Sequence, residues 1–149
     1  MWTWTNRRCR VLIVNGFDGR RMYASFLEHK GLVVCEATEP RTALREIPRF
    51  HPDVLITDYV FPGTTMDGPA FIERVRNHPR RAQPPIVVVS GYTRPEDERR
   101  ARAAGEDVFV VKPCLPTELL AHIARSVEIR SRMTFLSLRT TAASPRSRT

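Results

Sequence analysis

Five short runs of apolar residues constrain the fold of this chain more than any other feature. Each run has four residues, is rich in β-branched side chains and is continuous rather than alternating. Strands buried on both faces of a parallel sheet show this pattern, because helices cover both sides of such a sheet. The predicted strands are Val11–Val14, Leu32–Cys35, Val54–Thr57, Ile86–Val89 and Val108–Val111.

Amphipathic segments with helical spacing follow each of these runs. The predicted helices are residues 20–30, a second between Thr38 and Pro52, residues 69–78, a fourth ending at Gly105, and a fifth from about Pro116. Five alternations of strand and helix predict an α/β fold, a doubly wound five-stranded parallel sheet with five helices and right-handed crossovers.

The length of the chain limits its domain organisation. Its 149 residues suffice for one domain of roughly 100 to 150 residues. We expect an N-terminal arm over residues 1–9, the α/β domain over 10–128 and a basic, flexible C-terminal tail over 129–149. With no room for a second domain, we expect a stand-alone module rather than a metabolic enzyme.

The excess of positive charge is concentrated near the C-terminus. The net charge is +8, and residues 130–149 hold five arginines. Such a tail would bind nucleic acid through salt-dependent phosphate contacts. It has no recognisable helix-turn-helix or other DNA-binding module. A solvated tail is therefore the preferred interpretation, tail-mediated DNA binding is a remote alternative, and nucleic acid is not an expected partner.

The sequence shows no sign of membrane insertion or export. No segment approaches the roughly 18 apolar residues that a membrane helix needs, and the N-terminus lacks the apolar core of a signal peptide. We expect a cytoplasmic protein. Cys9, Cys35 and Cys114 form no CxxC pair, so we expect reduced thiols rather than disulfides or a zinc site.

Polar residues follow three of the predicted strands directly. Asp58 follows the third, Ser90 the fourth and Lys112 the fifth. The carboxyl ends of parallel strands meet at one edge of the sheet, where ligands bind in folds of this kind. A carboxylate nucleophile beside a hydroxyl and an ammonium would suit phosphoryl transfer. A purely structural Asp–Lys ion pair explains the same spacing equally well.

In order along the chain, Asp53–Asp58, Met66-Asp67-Gly68, Ser90-Gly91 and Val111-Lys112-Pro113 resemble the motifs of the receiver domain of two-component response regulators. The resemblance covers roughly residues 10–128 and implies a flavodoxin-like fold of the receiver type. It implies that Asp58 accepts a phosphoryl group, that Ser90 and Phe109 form the switch, and that Lys112 contacts the carboxylate or phosphate. It also implies a cis peptide bond before Pro113.

The chain departs from this family after its first strand. Receivers usually carry an acidic pair there to hold Mg²⁺, whereas this chain has Asn15-Gly16. The remaining candidate ligands are Asp58, Asp18, Asn15 and the backbone carbonyl of Val60. Asp18 is at least as good a candidate for a helix cap. Since Mg²⁺ is usually bound through one or two carboxylates plus waters, we expect its binding to be weakened. The loop Phe61–Gly68 is also two residues longer than usual.

The resemblance leaves two versions of the function open. In one, Asp58 is phosphorylated in a phosphorelay; in the other, the chain is a pseudo-receiver that binds partners without phosphorylation. The implied partners are a sensor histidine kinase or phosphotransfer protein, and a downstream protein that docks on residues 94–127. A homodimer through the same surface is compatible with the mixed charges of that segment.

A nucleotide-binding α/β domain is a remote alternative. Val14-x-Gly16-x-x-Gly19 matches two glycines of the dinucleotide fingerprint, and Glu36 stands near the end of the second strand. The first glycine of the fingerprint is missing, and this interpretation gives Asp58, Ser90 and Lys112 no role.

Overall fold

The computed structural model describes residues 3–4, 7–16, 19–78, 83–91 and 94–142, with side chains described between residues 8 and 129. An antiparallel hairpin, β1 (Thr3–Trp4) and β2 (Arg7–Arg8), comes first. The strands of the main sheet are β3 (Arg10–Val14), β4 (Val33–Ala37), β5 (Val54–Thr57), β6 (Ile86–Ser90) and β7 (Val108–Val111). The helices are α1 (Gly19–His29), α2 (Pro40–Phe50), α3 (Gly68–Arg76), α4 (Pro95–Ala104) and α5 (Pro116–Ala142).

The main sheet is parallel throughout and has the order β4-β3-β5-β6-β7. The chain crosses from β4 to the far side of β3 when it enters β5, so the winding direction changes between β3 and β5. The predicted doubly wound α/β fold is confirmed. Each predicted strand lies within two residues of the observed one, because the β-branched runs mark the buried part of each strand.

Helices cover the sheet on both faces. Alternate residues of a strand point to opposite faces, so Val11 and Ile13 pack with α1 and α5, while Leu12 and Val14 pack with α2, α3 and α4. All four side chains are buried. This two-sided burial is the reason the strands are continuously apolar.

Local signals in the sequence fix several helix ends. Helices α2, α4 and α5 begin at a proline, whose φ already suits the first helical position. Asp67 caps α3 by accepting a hydrogen bond from the amide of Ala70 at 2.9 Å. Gly105 ends α4 in the left-handed region, with φ of 115°.

The last helix differs from the expectation for residues 129–149. Helix α5 continues to Ala142, so residues 130–142 of the expected tail are helical in the structure. They contain neither glycine nor proline to interrupt the helix. Residues 143–149 lie outside the described residues.

Within the part of the chain that the structure describes, no helix has the length and apolar character needed to span a membrane.

Candidate functional site

The site lies at the carboxyl edge of the sheet, where the winding direction changes. Asn15 follows β3 and Asp58 follows β5, and the amide of Asp58 donates to the carbonyl of Val14 at 3.0 Å. Ser90 is the last residue of β6, and Lys112 follows β7. The amide of Lys112 donates to the carbonyl of Ser90 at 2.8 Å. The sheet therefore brings all four residues to one edge, as expected for the ligand-binding crevice of such a fold.

Asp58 and Lys112 form an ion pair. Lys112 Nζ donates to Asp58 Oδ1 at 2.8 Å. The Asp58 side chain is 5% exposed and that of Lys112 31% exposed. The second carboxylate oxygen, Oδ2, is buried and has no hydrogen-bond partner among the described residues. Burial raises the pKa of Asp58, and the hydrogen bond and charge of Lys112 partly offset this. One oxygen is thus held by Lys112, while the other makes no hydrogen bond to the described residues.

The peptide bond between Lys112 and Pro113 is cis. Lys112 itself follows β7 directly, and its Nζ reaches Asp58 at the sheet edge. The carbonyl of Cys114, two residues after Lys112, accepts a hydrogen bond from the hydroxyl of Tyr23 on α1 at 2.7 Å. Helix α1 therefore holds the segment that carries Lys112.

Ser90 and Phe109 occupy neighbouring strands. Ser90 is 2% exposed, so its hydroxyl is enclosed at the end of β6. Phe109 lies in β7, is partly buried and packs on the side of the sheet that faces α2, α3 and α4. Its ring meets that of Tyr59 edge-on, with centroids 6.4 Å apart. The two residues assigned to a switch therefore lie on the two strands nearest α4.

The candidate metal ligands include one carboxylate among the described residues. Asn15 is buried, Val60 is partly buried, and Gly16 provides no side chain. Asp18 lies outside the described residues. No group of three or more His, Cys, Asp or Glu in the described ranges is arranged to hold a metal ion. Mg²⁺ is usually bound in proteins through one or two carboxylates, with waters among its remaining ligands. The carboxylate of Asp58, together with the oxygens of Asn15 and Val60, meets this requirement.

A second set of charges lies beside Asn15. Arg20 donates from Nη1 to the carbonyl of Asn15 at 2.9 Å and from Nε to Glu36 at 3.1 Å. Arg21 also donates to Glu36. The carboxylate of Glu36 is therefore engaged by two guanidiniums, which argues against the ribose-binding role in the nucleotide-binding alternative.

The backbone after Asp58 is held by Gly68, the first residue of α3. The amide of Gly68 donates to the carbonyl of Tyr59 at 2.7 Å. A Cβ at this position would lie 2.6 Å from the carbonyl oxygen of Asp58 and 2.8 Å from Cα of Tyr59. Such an approach is open to glycine alone. The sequence contains the Asp67-Gly68 motif, but its contact with the segment after Asp58 is visible only in three dimensions.

Sequence reasoning also missed the role of Tyr59. Its hydroxyl accepts a hydrogen bond from Arg100 of α4 at 3.2 Å, and the same guanidinium pairs with Asp67 at 3.0 Å. Burial raises the pKa of Tyr59, so its hydroxyl is protonated at neutral pH. The residue after Asp58 is thereby joined to both α4 and the start of α3.

Comparison with known proteins agrees with this geometry. The chain is 33% identical over 103 residues to an uncharacterized 14.6 kDa protein of Leptolyngbya boryana, which covers 69% of this chain and 77% of that protein. It is 31% identical over 123 residues to the regulatory protein AtoC of Escherichia coli, which covers 82% of this chain but 26% of AtoC. The chain thus matches the greater part of the first relative and about a quarter of the second.

A solved structure shows the same fold. The chemotaxis protein CheY4 of Vibrio cholerae superposes with a TM-score of 0.74 at 30% identity, covering 80% of this chain and 99% of that one. The sequence model of the response regulator receiver domain matches residues 11–124. The chain therefore belongs to the family of response regulator receiver domains of two-component systems.

Proposed function

We propose that this receiver domain, a signalling module by its family, accepts a phosphoryl group on Asp58 from a histidine kinase or phosphotransfer protein. It then signals through protein–protein contact. The observation that carries the proposal is the asymmetry of the Asp58 carboxylate. Lys112 holds Oδ1 at 2.8 Å, whereas Oδ2 is buried without a hydrogen-bond partner among the described residues. A structural ion pair alone would not require an unpartnered oxygen at the sheet edge.

The chemistry of the proposed transfer follows from these groups. Asp58 Oδ2 forms a bond to phosphorus while the bond between phosphorus and the donor histidine nitrogen breaks. The donor histidine, protonated on its other ring nitrogen, takes the electron pair of the broken bond and leaves as a neutral imidazole, and Asp58 becomes an acyl phosphate. The ammonium of Lys112 and the hydroxyl of Ser90 stabilise negative charge on the phosphoryl oxygens. Asp58 must be ionised to attack, and Lys112 favours this form against the effect of burial on its pKa.

Mg²⁺ would be held by Asp58, the side-chain oxygen of Asn15 and the carbonyl of Val60. When bound, it supplies positive charge that neutralises the phosphoryl oxygens. We propose that its affinity is weakened in this chain. Among the described residues, Asp58 and Lys112 together leave the pocket near neutral, and Gly16 adds no ligand. Arg20, which contacts the carbonyl of Asn15, adds a further positive charge nearby.

The second candidate function is a pseudo-receiver that binds partners without phosphorylation. The observation favouring it is the donor set, which holds one carboxylate among the described residues where the family usually has more. Loss of the metal's charge would raise the barrier to phosphoryl transfer by several kcal/mol. The two functions predict opposite results with a small-molecule phosphoryl donor.

The deciding experiment is intact-mass measurement after incubation with acetyl phosphate and Mg²⁺. Phosphorylation on Asp58 predicts the mass of one added phosphoryl group, which is absent in Asp58→Asn. The matched gain-of-function variant is Asn15→Asp/Gly16→Asp. The backbone at Gly16 tolerates a side chain, since a Cβ there would lie 3.5 Å from the nearest atom, the carbonyl oxygen of Thr38.

Each outcome decides between the two functions. Added mass in the wild type at lower yield than in the double variant supports phosphorylation with weakened metal binding. No added mass in the wild type, together with clear modification of the double variant, establishes the pseudo-receiver. No modification of either protein, with acetyl phosphate or with beryllofluoride as a phosphoryl mimic, contradicts the assignment of Asp58 as acceptor.

The proposed docking surface for a downstream protein is residues 94–127. Val111 and Leu115 are 47% and 61% exposed there, four residues apart in the chain, and offer apolar side chains to a partner. Several charges of the surface are already paired within α4. Arg94 contacts Asp97 at 3.1 Å, and Arg102 contacts Glu98 at 3.4 Å. The apolar pair is therefore the better candidate for the contact. Sedimentation velocity of wild type and Val111→Ser/Leu115→Ser would reveal a homodimer through this surface.

A further inference from the structure

A groove runs between α2 and α3 on the face of the sheet that also carries α4. It has a volume of about 540 Å³ and is lined by Glu39, Arg41, Leu44, Arg45, Met66 and Arg74. A pocket of about 260 Å³ shares Glu39, Arg41 and Met66 with it and continues along Gly63–Thr65. These two adjoining depressions are here called together the basic groove. Its far wall is the lengthened loop between β5 and α3.

The arginines of the basic groove have no acidic partners among the described residues. Arg41, Arg45 and Arg74 are exposed, and none of them forms an ion pair within 4.0 Å with any residue that the structure describes. Arg20 and Arg76, by contrast, are paired with Glu36 at 3.1 Å and with Asp107 at 2.8 Å. Three guanidiniums against the one carboxylate of Glu39 give the groove lining a net charge of +2.

The floor of the basic groove is apolar. Leu44 and Met66 are partly buried and pack against the core beneath α2 and α3. The loop that forms the wall has internal hydrogen bonds. The amide of Thr64 donates to the carbonyl of Phe61 at 3.3 Å, and the single hydroxyl hydrogen of Thr64 can be donated to the carbonyl of Phe61 at 2.9 Å or of Met66 at 3.0 Å. The groove therefore combines a hydrogen-bonded wall, an apolar base and a positively charged rim.

We propose that the basic groove binds an acidic segment of a partner protein, in which carboxylates alternate with apolar side chains. Planar guanidiniums bind carboxylates bidentately, and Arg41 and Arg45 lie one helical turn apart on the same side of α2. Apolar side chains of the segment would cover Leu44 and Met66. This site is distinct from Asp58 and from residues 94–127, so it does not depend on the proposed phosphorylation.

Charge and shape favour a peptide over a nucleic acid. A phosphate backbone would use the arginines but would leave the apolar floor uncovered. It would also meet the carboxylate of Glu39, which lines both parts of the groove and repels a phosphate. A protein segment can cover the apolar floor with its apolar side chains and pair its carboxylates with the arginines of the rim. Its amide or lysine groups can pair with Glu39.

The test uses the full chain and a short synthetic peptide of alternating glutamate and leucine, carrying a fluorophore. Fluorescence anisotropy should show saturable binding that weakens with added salt. The charge-reversal variant Arg45→Glu/Arg74→Glu should weaken it roughly tenfold or more. The matched control is Arg8→Glu, which changes an exposed arginine of β2 with no ion-pair partner among the described residues. Asp58→Asn should bind like the wild type.

Further measurements with other peptides, variants and oligonucleotides test the proposal. A peptide of glutamate alone should bind more weakly than the alternating peptide, because it lacks groups for the apolar floor. Amide chemical shifts should change in α2 and in residues 61–67. Equal binding by Arg45→Glu/Arg74→Glu and Arg8→Glu would overturn the proposal. So would tighter binding of a single- or double-stranded oligonucleotide than of the peptide, which would make the groove a nucleic-acid site.

Discussion

Arg100 donates a hydrogen bond to the hydroxyl of Tyr59 at 3.2 Å, and helix α4 thereby contacts the residue that directly follows Asp58. The same guanidinium pairs with Asp67, the N-cap of α3, at 3.0 Å. The Tyr59 ring also packs edge-on against Phe109 of β7. A single tyrosine therefore connects the site loop with α3, α4 and β7.

The first prediction concerns the hydroxyl of Tyr59. Tyr59→Phe keeps the ring and its contact with Phe109 but removes the acceptor for Arg100. We expect the free energy of unfolding to fall by about 0.5–1.5 kcal/mol, the net contribution of a typical hydrogen bond. Urea denaturation followed by circular dichroism measures this change.

A double-mutant cycle isolates the Tyr59–Arg100 interaction. Arg100→Ala alone should cost about 0–1 kcal/mol because its side chain is largely exposed. The combined variant should cost less than the sum of the two single changes, since both remove the same contact. Strict additivity would contradict a direct interaction. Arg99→Ala, on the same helix and exposed, is the control and should leave stability unchanged.

The second prediction concerns the pH dependence that Asp58 confers. Burial raises the pKa of Asp58 above its unfolded value, with Lys112 opposing. The folded state therefore binds this proton more tightly than the unfolded state does. The contribution of Asp58 to stability decreases as pH rises from the unfolded pKa of about 3.9 through the folded pKa.

Asp58→Asn removes this titration and retains an oxygen for Lys112. We expect it to stabilise the fold at neutral pH, because burial disfavours the ionised carboxylate and the partly exposed ammonium of Lys112 keeps contact with water. The gain should vanish at acidic pH, where Asp58 is protonated in both states. Urea midpoints measured across the pH range test this, and a gain that persists at acidic pH would contradict the assignment to Asp58. Lys112→Met, which leaves the carboxylate unpaired, should destabilise at neutral pH.

The sheet edge of the site could be predicted because it depends on local sequence. Asp58, Ser90 and Lys112 were found as polar residues next to apolar runs, and burial on both faces makes such runs conspicuous. The helix ends at Pro40, Pro95, Gly105 and Pro116 also follow from single residues. The fold class therefore required no information about contacts distant in sequence.

Other features depend on contacts that sequence patterns do not encode. Tyr59 and Arg100 are 41 residues apart in the chain, and neither stands in a recognisable motif. The hairpin of β1 and β2 has strands of two residues, too short for an alternation to be detected. Helix α5 runs past the domain because nothing in residues 130–142 terminates it.

The third prediction concerns Glu106, a buried acid between α4 and β7. Its side chain is 1% exposed, and Arg102 Nε lies 3.7 Å from Oε1, too far for a hydrogen bond. Neither carboxylate oxygen has a hydrogen-bond partner among the described residues. Burial raises the pKa of Glu106, and the charge of Arg102 offsets this in part. The ionised form is therefore a cost to the folded state at neutral pH.

Glu106→Met should raise the free energy of unfolding at neutral pH by about 1–3 kcal/mol, because it replaces an unsatisfied buried carboxylate by an apolar side chain of similar size. Since the folded pKa is the higher one, the gain should shrink as pH falls towards the unfolded pKa of about 4.3. Glu106→Gln, which keeps polarity but removes the charge, should give a smaller gain. Chemical denaturation at several pH values tests both, with the exposed Glu98→Gln as control. A destabilised Glu106→Met at neutral pH would show that the carboxylate is satisfied.

The fourth prediction concerns the close approach of α3 to the backbone that follows Asp58. In Gly68→Ala the added methyl would lie 2.6 Å from the carbonyl oxygen of Asp58 and 2.8 Å from Cα of Tyr59. Because both neighbours are backbone atoms, they cannot move aside as a flexible side chain would. We expect a loss of about 1–3 kcal/mol of stability and, if Asp58 is the acceptor, slower modification by acetyl phosphate.

Gly19→Ala is the matched control for this prediction. Gly19 begins α1, and an added Cβ there would meet no atom within 4 Å. The substitution should be neutral or stabilise the fold by about 0.4–1 kcal/mol, since it restricts the unfolded chain. The melting temperature and the rate of modification by acetyl phosphate are measured for both variants. The two quantities together separate a local effect on Asp58 from general destabilisation. A Gly68→Ala protein that melts like the wild type would show that α3 can shift away from Tyr59 and that this contact does not fix the position of Asp58.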